Sequence, residues 1–316
     1  MKEAVMRIKP KFLSAARVLG VAALALVVQA WLAPSAAQAA RFQPVAGVTT
    51  FEAEFTVDGR ARRVLYVRPI ANPSGLAPAI VVLHYAGGDP EEMANLIEIG
   101  QLVRDTGVWA ILPNSRGRNW SFDPVRDRNG PDDVGLITKV IDNAVSAYPI
   151  DARRVYLTGF SSGGFMTQRY VCEHPERIAA AAYVSSTLLD SLRRVCTPSL
   201  PMPIIGMHGT RDPKVAYKKK VGLSSAPETA LFFANLNRCL TPPVRSNLPN
   251  IANDRTTVQL DAYNSCASAS PVRFYTITDG GHTWPGNDYQ LGFAGRTTQD
   301  IDATRVIWDF VRNYAR

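Results

Sequence analysis

Histidine and cysteine are both scarce in this 316-residue sequence, with four of each. The cysteines form no C-x-x-C pair and have no histidine at zinc-ligand spacing, which argues against a structural zinc site. The sequence also lacks the glycine loop of phosphate-binding proteins, the dinucleotide fingerprint and the H-E-x-x-H metal signature. We therefore expect neither a metal ion nor a bound cofactor.

Long hydrophobic runs are absent except near the N-terminus, where residues 18–32 are apolar apart from Gln29. Basic residues precede this run, and the small-residue sequence Ala37-Gln38-Ala39 follows it. This three-part arrangement is typical of a secretory signal peptide, whereas a membrane anchor needs a longer apolar span. We expect residues 1–39 to be a signal peptide cleaved before Ala40. The protein would then be secreted, extracellular or periplasmic, without remaining in the membrane.

The basic character of the sequence is concentrated in this segment. Residues 1–39 contain five basic residues and one acidic residue, so half of the formal net charge of +8 belongs to them. The remaining chain is only mildly basic, which disfavours a nucleic-acid partner. It also lacks internal repeats and Ser/Thr/Pro-rich linkers. We expect one domain over residues 40–316.

Export changes the interpretation of the four cysteines, because oxidising compartments favour disulfides. Four cysteines allow three pairings, and the sequence alone does not select one. Pairs of neighbours in the sequence would close local loops, and we favour them modestly. These pairs are Cys172 with Cys196 and Cys239 with Cys266.

Apolar runs alternate with segments of helical periodicity along the chain after the leader. This alternation predicts an α/β fold, a mainly parallel central sheet with helices on both faces. An Asp58-Gly59 pair between the first two strands predicts a hairpin, and we expect residues 245–270 to be an irregular, polar excursion. The predicted strands are residues 50–57, 63–67, 79–84, 108–112, 154–158, 179–184, 203–207 and 272–277, and the predicted helices are residues 91–104, 132–147, 163–173, 228–237 and 300–314.

The most specific motif is Gly159-Phe160-Ser161-Ser162-Gly163, which fits G-x-S-x-G between a predicted strand and a predicted helix. This context is that of a nucleophile elbow, a sharp turn that exposes the serine hydroxyl above the sheet. The alternative is a glycine-rich turn without chemistry. We expect Ser161 to be a catalytic nucleophile.

A serine nucleophile needs a base, and only four histidines are candidates. In nucleophile-elbow folds the chain order is serine, then acid, then histidine. His84 precedes the serine, His174 lies in the helix after it, and His208 comes just before a candidate acid. His282 follows all of these in a loop after the last predicted strand. We expect His282 to be the general base.

Asp212 is the expected acid, because it follows the strand over residues 203–207 and lies at the carboxyl end of a parallel strand. Its carboxylate would orient the imidazole and stabilise the imidazolium. The oxyanion hole requires two backbone N–H groups. The first is expected from Ser162, the residue after the nucleophile, and the second from Tyr85 or Ala86 in the turn after the first central strand.

These motifs resemble those of the LpqC-type secreted esterases, a group of polyhydroxybutyrate depolymerases and feruloyl esterases within the carbohydrate esterase family 1 type of α/β-hydrolases. The resemblance covers nearly all of residues 40–316. It rests on residues 159–164, His208-Gly209-Thr210-Arg211-Asp212 and Gly281-His282-Thr283-Trp284-Pro285-Gly286, supported by residues 119–121 and 132–134 and by the positions of Cys239 and Cys266.

The resemblance implies an α/β-hydrolase fold and a serine esterase in which Ser161, Asp212 and His282 form the triad. The sequence departs from the family at Tyr85, where the family usually has glycine, and at Val215-Ala216-Tyr217, where it usually has Val-Pro-Tyr. Because Tyr85 adjoins the expected oxyanion hole, a non-catalytic secreted binding protein is the alternative from another functional class.

The expected partner is a small or oligomeric ester substrate, and the pattern indicates no particular oligomeric state. Soluble hydroxybutyrate oligomers or related short acyl esters are the first expectation, and feruloyl or acetyl xylan esters are the alternative. An ester pocket of modest size is mostly apolar. Trp120 and Trp284 are candidates to line it, although packing of their loops against the domain is equally compatible with their positions.

Overall fold

The computed structural model describes residues 41–71, 74–117, 119–287 and 294–316, so the predicted signal peptide lies outside the described residues. Ten strands occur in this part of the chain. They are β1 (Val48–Val57), β2 (Arg60–Pro69), β3 (Ala77–Leu83), β4 (Trp109–Pro113), β5 (Ile150–Phe160), β6 (Ala180–Val184), β7 (Ile204–Gly209), β8 (Val244–Asn247), β9 (Thr257–Tyr263) and β10 (Val272–Thr278).

Seven α-helices accompany these strands in the described residues. They are α1 (Pro90–Leu96), α2 (Ile99–Thr106), α3 (Asp133–Ala147), α4 (Ser162–Glu173), α5 (Asp190–Val195), α6 (Ala226–Leu236) and α7 (Ala303–Val311).

All ten strands join one sheet in the order β1-β2-β4-β3-β5-β6-β7-β10-β9-β8. The six central strands from β4 to β10 pair in parallel, and the outer strands on both sides pair antiparallel. Parallel neighbours place their carboxyl ends at one edge, where sites of α/β folds assemble. The predicted α/β architecture with a mainly parallel sheet is therefore confirmed.

Two hydrophobic clusters lie on opposite faces of the sheet. Strand β3 shows the division, because Val81 and Leu83 belong to the cluster under α3, α4 and α6, while Ile80 and Val82 belong to the cluster under α1, α2 and α7. Successive residues of a strand point to opposite faces, so a strand covered on both sides is apolar throughout. This is why the continuous apolar run predicted a central strand.

The hairpin between β1 and β2 forms at the predicted position. Asp58 and Gly59 have φ values of 51° and 66°, and the flanking residues Val57 and Arg60 pair with each other. Two consecutive positive φ values are required by the tight turn that matches strand twist, and Asp-Gly tolerates them. The turn sets the register of the first strand pair.

The predicted helix over residues 91–104 is wrong as a single element. The chain forms α1 and α2, separated at Glu98, whose φ of 49° is left-handed. Ile97 and Ile99 on either side of the break are both buried. Residues two apart do not share one face of a continuous helix, and the break allows both side chains to reach the core.

The predicted irregular excursion over residues 245–270 is also wrong in part. It contains β9, which pairs antiparallel with β10, and most of β8, which pairs antiparallel with β9. Both faces of β9 are partly covered, because Val258 belongs to the cluster on one face of the sheet and Tyr263 to the cluster on the other. The edge strand β8 is exposed along its whole length and three of its four residues are polar, so it gives no apolar pattern in the sequence.

Two disulfides are present, Cys172–Cys196 and Cys239–Cys266. The first joins the end of α4 to the residue after α5, and the second spans the segment that contains β8 and β9. These are the two pairings that the sequence analysis favoured. Both fit a protein that folds in an oxidising compartment.

We expect no titratable thiol in the purified protein under denaturing, non-reducing conditions, and four after reduction. Reduction should lower the free energy of unfolding by about 2–4 kcal/mol per bridge, because each disulfide restricts the unfolded chain. Thiol titration and urea unfolding with and without reductant measure the two effects. Four thiols before reduction would contradict the pairing.

Within the ranges described above, no helix is long and apolar enough to cross a membrane.

Candidate active site

Ser161 lies at a strained turn between β5 and α4, with a φ of 54° and a ψ of −115°. Positive φ is costly for a residue other than glycine and is found where a functional site requires it. Gly163 explains part of the motif. A Cβ atom there would lie 2.2 Å from the carbonyl oxygen of Leu83, so glycine lets α4 begin directly against the end of β3.

Asp212 and His282 meet at the same edge of the sheet. Asp212 follows β7, and His282 follows β10, the parallel neighbour of β7. His282 Nδ1 lies 2.7 Å from Asp212 Oδ2. With the proton on Nδ1, the imidazole donates to the carboxylate and leaves the Nε2 lone pair free to accept a proton. This is the arrangement that a general base needs.

The carboxylate of Asp212 is fully enclosed and held in place by its own loop. Its Oδ1 atom accepts hydrogen bonds from the backbone N–H groups of Lys214 and Val215, each at 2.8 Å. These two backbone donors fix the orientation of the carboxylate. The remaining oxygen is left to face His282.

His282 is positioned by packing as well as by Asp212. Its ring lies against the ring of Phe160, with 5.1 Å between centroids, and Phe160 also contacts Trp284 edge-on at 6.2 Å. The backbone N–H of His282 donates to Ala294 at 2.6 Å. Since Phe160 immediately precedes Ser161, this contact holds the imidazole next to the nucleophile turn. Sequence reasoning did not identify Phe160, although it occupies the x position of G-x-S-x-G.

His208 is the second histidine beside the acid. Its Nε2 donates to the carbonyl oxygen of Val215 at 2.8 Å and lies 3.4 Å from Asp212 Oδ2. Burial lowers the pKa of His208, and the carboxylate of Asp212 offsets this only in part. A neutral His208 therefore fixes the loop after β7 without placing a second positive charge against the acid.

His84 organises the turn after β3, where the second oxyanion donor is expected. Its Nδ1 donates to the carbonyl oxygen of Tyr85 at 2.8 Å, and its Nε2 accepts from the backbone N–H of Ser115 at 3.1 Å. The carbonyl oxygen of His84 accepts from the indole of Trp120 at 2.8 Å. The sequence pattern predicts His84 only as the end of a strand, and the structure shows it at the centre of these bonds.

The expected oxyanion donors lie at this junction. Ser162 is the first residue of α4, and the N–H groups of a first helical turn have no acceptor within the helix. Tyr85 turns its ring to the edge of Phe160, 5.8 Å away, and its hydroxyl donates to Glu92 at 3.1 Å. Ala86 is exposed at the tip of the turn. Tyr85 and Ala86 both stay candidates for the second donor.

The two tryptophans support loops from within the domain. Trp120 is 2% exposed and lies against the ring of His84, with 4.9 Å between centroids. Trp284 is 3% exposed and donates to Thr304 Oγ1 at 3.0 Å, which ties the His282 loop to α7. These indoles leave almost no surface for a substrate. In this structure they pack loops, which was the other interpretation of their positions.

A buried ion pair holds the Trp120 loop. Asp133 at the start of α3 binds the guanidinium of Arg62, and its second oxygen accepts from the backbone N–H of Ser121 at 2.8 Å. This contact joins residues 119–121 to residues 132–134, two segments of the family resemblance that the sequence does not connect. Their contact is long-range, and no local pattern indicates it.

We expect the free energy of unfolding to fall as pH is lowered below about 6.5, the ordinary pKa of histidine. Burial lowers the pKa of His84 and of His208 in the folded protein. Between the folded and unfolded pKa values the unfolded chain binds more protons, so acidification favours unfolding. The contribution of these two neutral histidines to the free energy of unfolding is complete above about pH 6.5. It is lost as the pH falls towards their lowered pKa values in the folded protein.

Urea unfolding of wild type, His84→Gln and His208→Gln between pH 8 and pH 5 measures this dependence. Each variant should have a shallower slope than wild type, and His174→Gln, at a partly exposed position, should keep the slope. Constant stability of the wild type between pH 7.5 and 5.5 would contradict the assignment.

Several known proteins of similar sequence are named as esterases. Residues 119–237, which include the elbow and Asp212, match the family model described as Phospholipase/Carboxylesterase. The protein named "Putative esterase NocK" from Nocardia uniformis subsp. tsuyamanensis is 30% identical over 310 residues, covering 88% of this chain and 89% of that protein.

The chain belongs to the family of esterases that includes this relative.

A second relative of the esterase is Feruloyl esterase B from Piromyces equi, 24% identical over 263 residues. The match covers 77% of this chain but 44% of that protein, so the chain spans less than half of its length. Among solved structures, an acetyl xylan esterase from Aspergillus awamori superposes with a TM-score of 0.59 at 16% identity, over 81% of this chain and 99% of that one.

These findings establish the α/β-hydrolase fold and identify the esterase as a carboxylic ester hydrolase. The alternative of a non-catalytic binding protein is therefore set aside.

Proposed function

We propose that the protein is a secreted serine esterase that uses Ser161, His282 and Asp212 as its triad. The observation that carries this proposal is the 2.7 Å bond between His282 Nδ1 and Asp212 Oδ2 at the sheet edge where the strained Ser161 turn lies. A serine nucleophile, an imidazole base and an enclosed carboxylate that orients the imidazole are the groups that acyl transfer through a triad requires.

The reaction follows from the donors and acceptors at this edge. Ser161 Oγ attacks the ester carbonyl while His282 Nε2 accepts its proton, and the bond to the alcohol oxygen breaks as His282 returns that proton to the leaving alcohol. Water then attacks the acyl enzyme with His282 again as base, which releases the acid and restores Ser161. Backbone N–H groups at Ser162 and in the turn at residues 85–86 stabilise the oxyanion.

The proposed substrates are soluble hydroxybutyrate oligomers or related short acyl esters. The motifs around Ser161, Asp212 and His282 support this class through their resemblance to the polyhydroxybutyrate depolymerase group. A feruloyl ester is the second candidate, and similarity to Feruloyl esterase B supports it. We propose no nucleic-acid partner and no stable insertion into a membrane.

Rates on a matched panel decide between the candidates. We expect measurable kcat/KM on soluble hydroxybutyrate oligomers and little attack on crystalline polymer. A higher kcat/KM on methyl ferulate than on every oligomer would favour the feruloyl alternative. Rapid clearing of a polymer film would overturn the preference for soluble substrates. The Ser161→Ala variant serves as the blank for each substrate.

Secretion is proposed with residues 1–39 as a cleaved leader and residues 40–316 as the catalytic domain. The two disulfides support an oxidising destination. The protein recovered from the medium or periplasm of an expressing bacterium should begin at Ala40, as measured by intact mass. Recovery of only the uncleaved chain from the cytoplasm would refute secretion.

A further inference from the structure

A basic cleft lies two strands away from the nucleophile strand. It has a volume of about 500 Å³ and is lined by the first residues of β2 and by the loop after β4. Among the described residues that line it, four are arginines and Glu54 is the single carboxylate. The arginines are Arg60, Arg62, Arg63 and Arg116.

The cleft opens at the same edge of the sheet as Ser161. β2 runs antiparallel to β4, so the start of β2 lies at the carboxyl end of β4. The order β2-β4-β3-β5 separates this corner from the nucleophile strand by two to three strand spacings, about 10–15 Å. Ser115 of the cleft donates to His84, which connects the cleft wall to the oxyanion turn.

The four arginines are not equivalent. Arg63 pairs with Glu91 and with Glu52, so its charge is already compensated. Arg60 and Arg116 are exposed, and neither has an ion-pair partner among the residues that the structure describes. They are the side chains free to attract an anion.

Arg62 supplies a fixed donor. It is 4% exposed, and its Nε and Nη2 atoms bind the carbonyl oxygen of Asn114 and the carboxylate of Asp133. Its Nη1 atom is buried without a hydrogen-bond partner in the described part of the chain. A buried N–H group left without an acceptor is costly, and a carboxylate seated in the cleft is the acceptor that a guanidinium fits best.

We propose that this cleft is a subsite for a carboxylate of the substrate, carried a short chain away from the scissile ester. The inference rests on the proposed esterase function and narrows its substrate class to acidic soluble esters. A free-acid hydroxybutyrate oligomer has such a carboxylate at one end. A neutral ester of the same length lacks it.

Matched acid and ester substrates test the subsite. For wild type, kcat/KM on a free-acid hydroxybutyrate tetramer should exceed that on its methyl ester. We expect a ratio of about ten, because one charge-assisted hydrogen bond contributes about that factor. The preference should decrease in high salt, because exposed charges are screened. The ratio of the two rates within each enzyme cancels general effects of a substitution on activity.

The Arg60→Gln/Arg116→Gln variant should bring that ratio closer to one, because the two exposed charges that attract the carboxylate are removed while Arg62 is retained. The matched control is Arg41→Gln/Arg255→Gln, which removes two exposed arginines that do not line the cleft and should keep the ratio. An unchanged ratio in Arg60→Gln/Arg116→Gln, or loss of the ratio in the control as well, would overturn the assignment to this cleft.

Monoethyl and diethyl sebacate form a second substrate pair. An unrelated ester again occurs once with a free carboxylate and once without it. Preference for the acid in this pair without activity on either tetramer would refute the hydroxybutyrate substrate and support the carboxylate subsite. Equal rates on acid and ester wherever wild type is active would overturn the subsite and leave the esterase proposal standing.

Discussion

Replacing Ser161 with alanine is expected to lower kcat on p-nitrophenyl butyrate by at least about 10⁴-fold, because no other group replaces the nucleophile and the residual rate comes from the oxyanion hole and binding alone. The fold should persist, since Ser161 makes no side-chain cap to α4. The substitution leaves His282 and Asp212 unchanged, so the hydrogen bond between them should remain in the variant.

The matched control for this variant is Ser146→Ala, an exposed serine near the end of α3. It makes the same chemical change away from the sheet edge and should retain wild-type kcat. Near-UV circular dichroism and Tm establish that both variants are folded. Turnover of folded Ser161→Ala within ten-fold of wild type would contradict the assigned nucleophile.

Replacing Asp212 with asparagine is expected to lower kcat by about 10⁴-fold with little change in KM. An amide nitrogen facing His282 would favour the tautomer with the proton on Nε2, which cannot accept a proton from Ser161. The imidazolium formed during the reaction would also lose its counter-ion. Asparagine retains an oxygen for the N–H groups of Lys214 and Val215, so the loop should keep its shape.

Asp279→Asn provides the control for loss of a carboxylate, at a position three residues before His282. Asp279 pairs with Arg211 at the surface, and exposed ion pairs contribute little. Its φ of 58° is one that asparagine tolerates. We expect kcat within about three-fold of wild type, as for a surface pair worth under 1 kcal/mol. A loss in Asp212→Asn no larger than that in Asp279→Asn would remove Asp212 from the triad.

Much of the site could be predicted because its signals are local or ordered along the chain. Ser161 stands in a motif whose small residues are dictated by the close approach of α4 to β3. With only four histidines, chain order together with the places of His174 and His208 in the predicted elements selects His282. The parallel strands then place both residues and Asp212 at one edge, without knowledge of any side-chain contact.

The unpredicted features depend on contacts between distant segments. The bonds from Trp120 and Ser115 to His84 span more than thirty residues, with sequence separations of 36 and 31. Burial of Trp120 follows from these contacts and not from its neighbours in the sequence. The break at Glu98 likewise arises from tertiary packing of Ile97 and Ile99, which overrides helical periodicity.

Labelling with a fluorophosphonate probe, followed by mass spectrometry of the digested protein, tests the central claim most directly. The probe reacts with a serine only when a base and an oxyanion hole activate it. The labelled residue is therefore the nucleophile of the intact active site. We predict one stoichiometric adduct on the peptide that contains Ser161, absent from Ser161→Ala and strongly reduced in Asp212→Asn. No adduct on the folded wild-type protein, or an adduct on a different residue, would contradict the account.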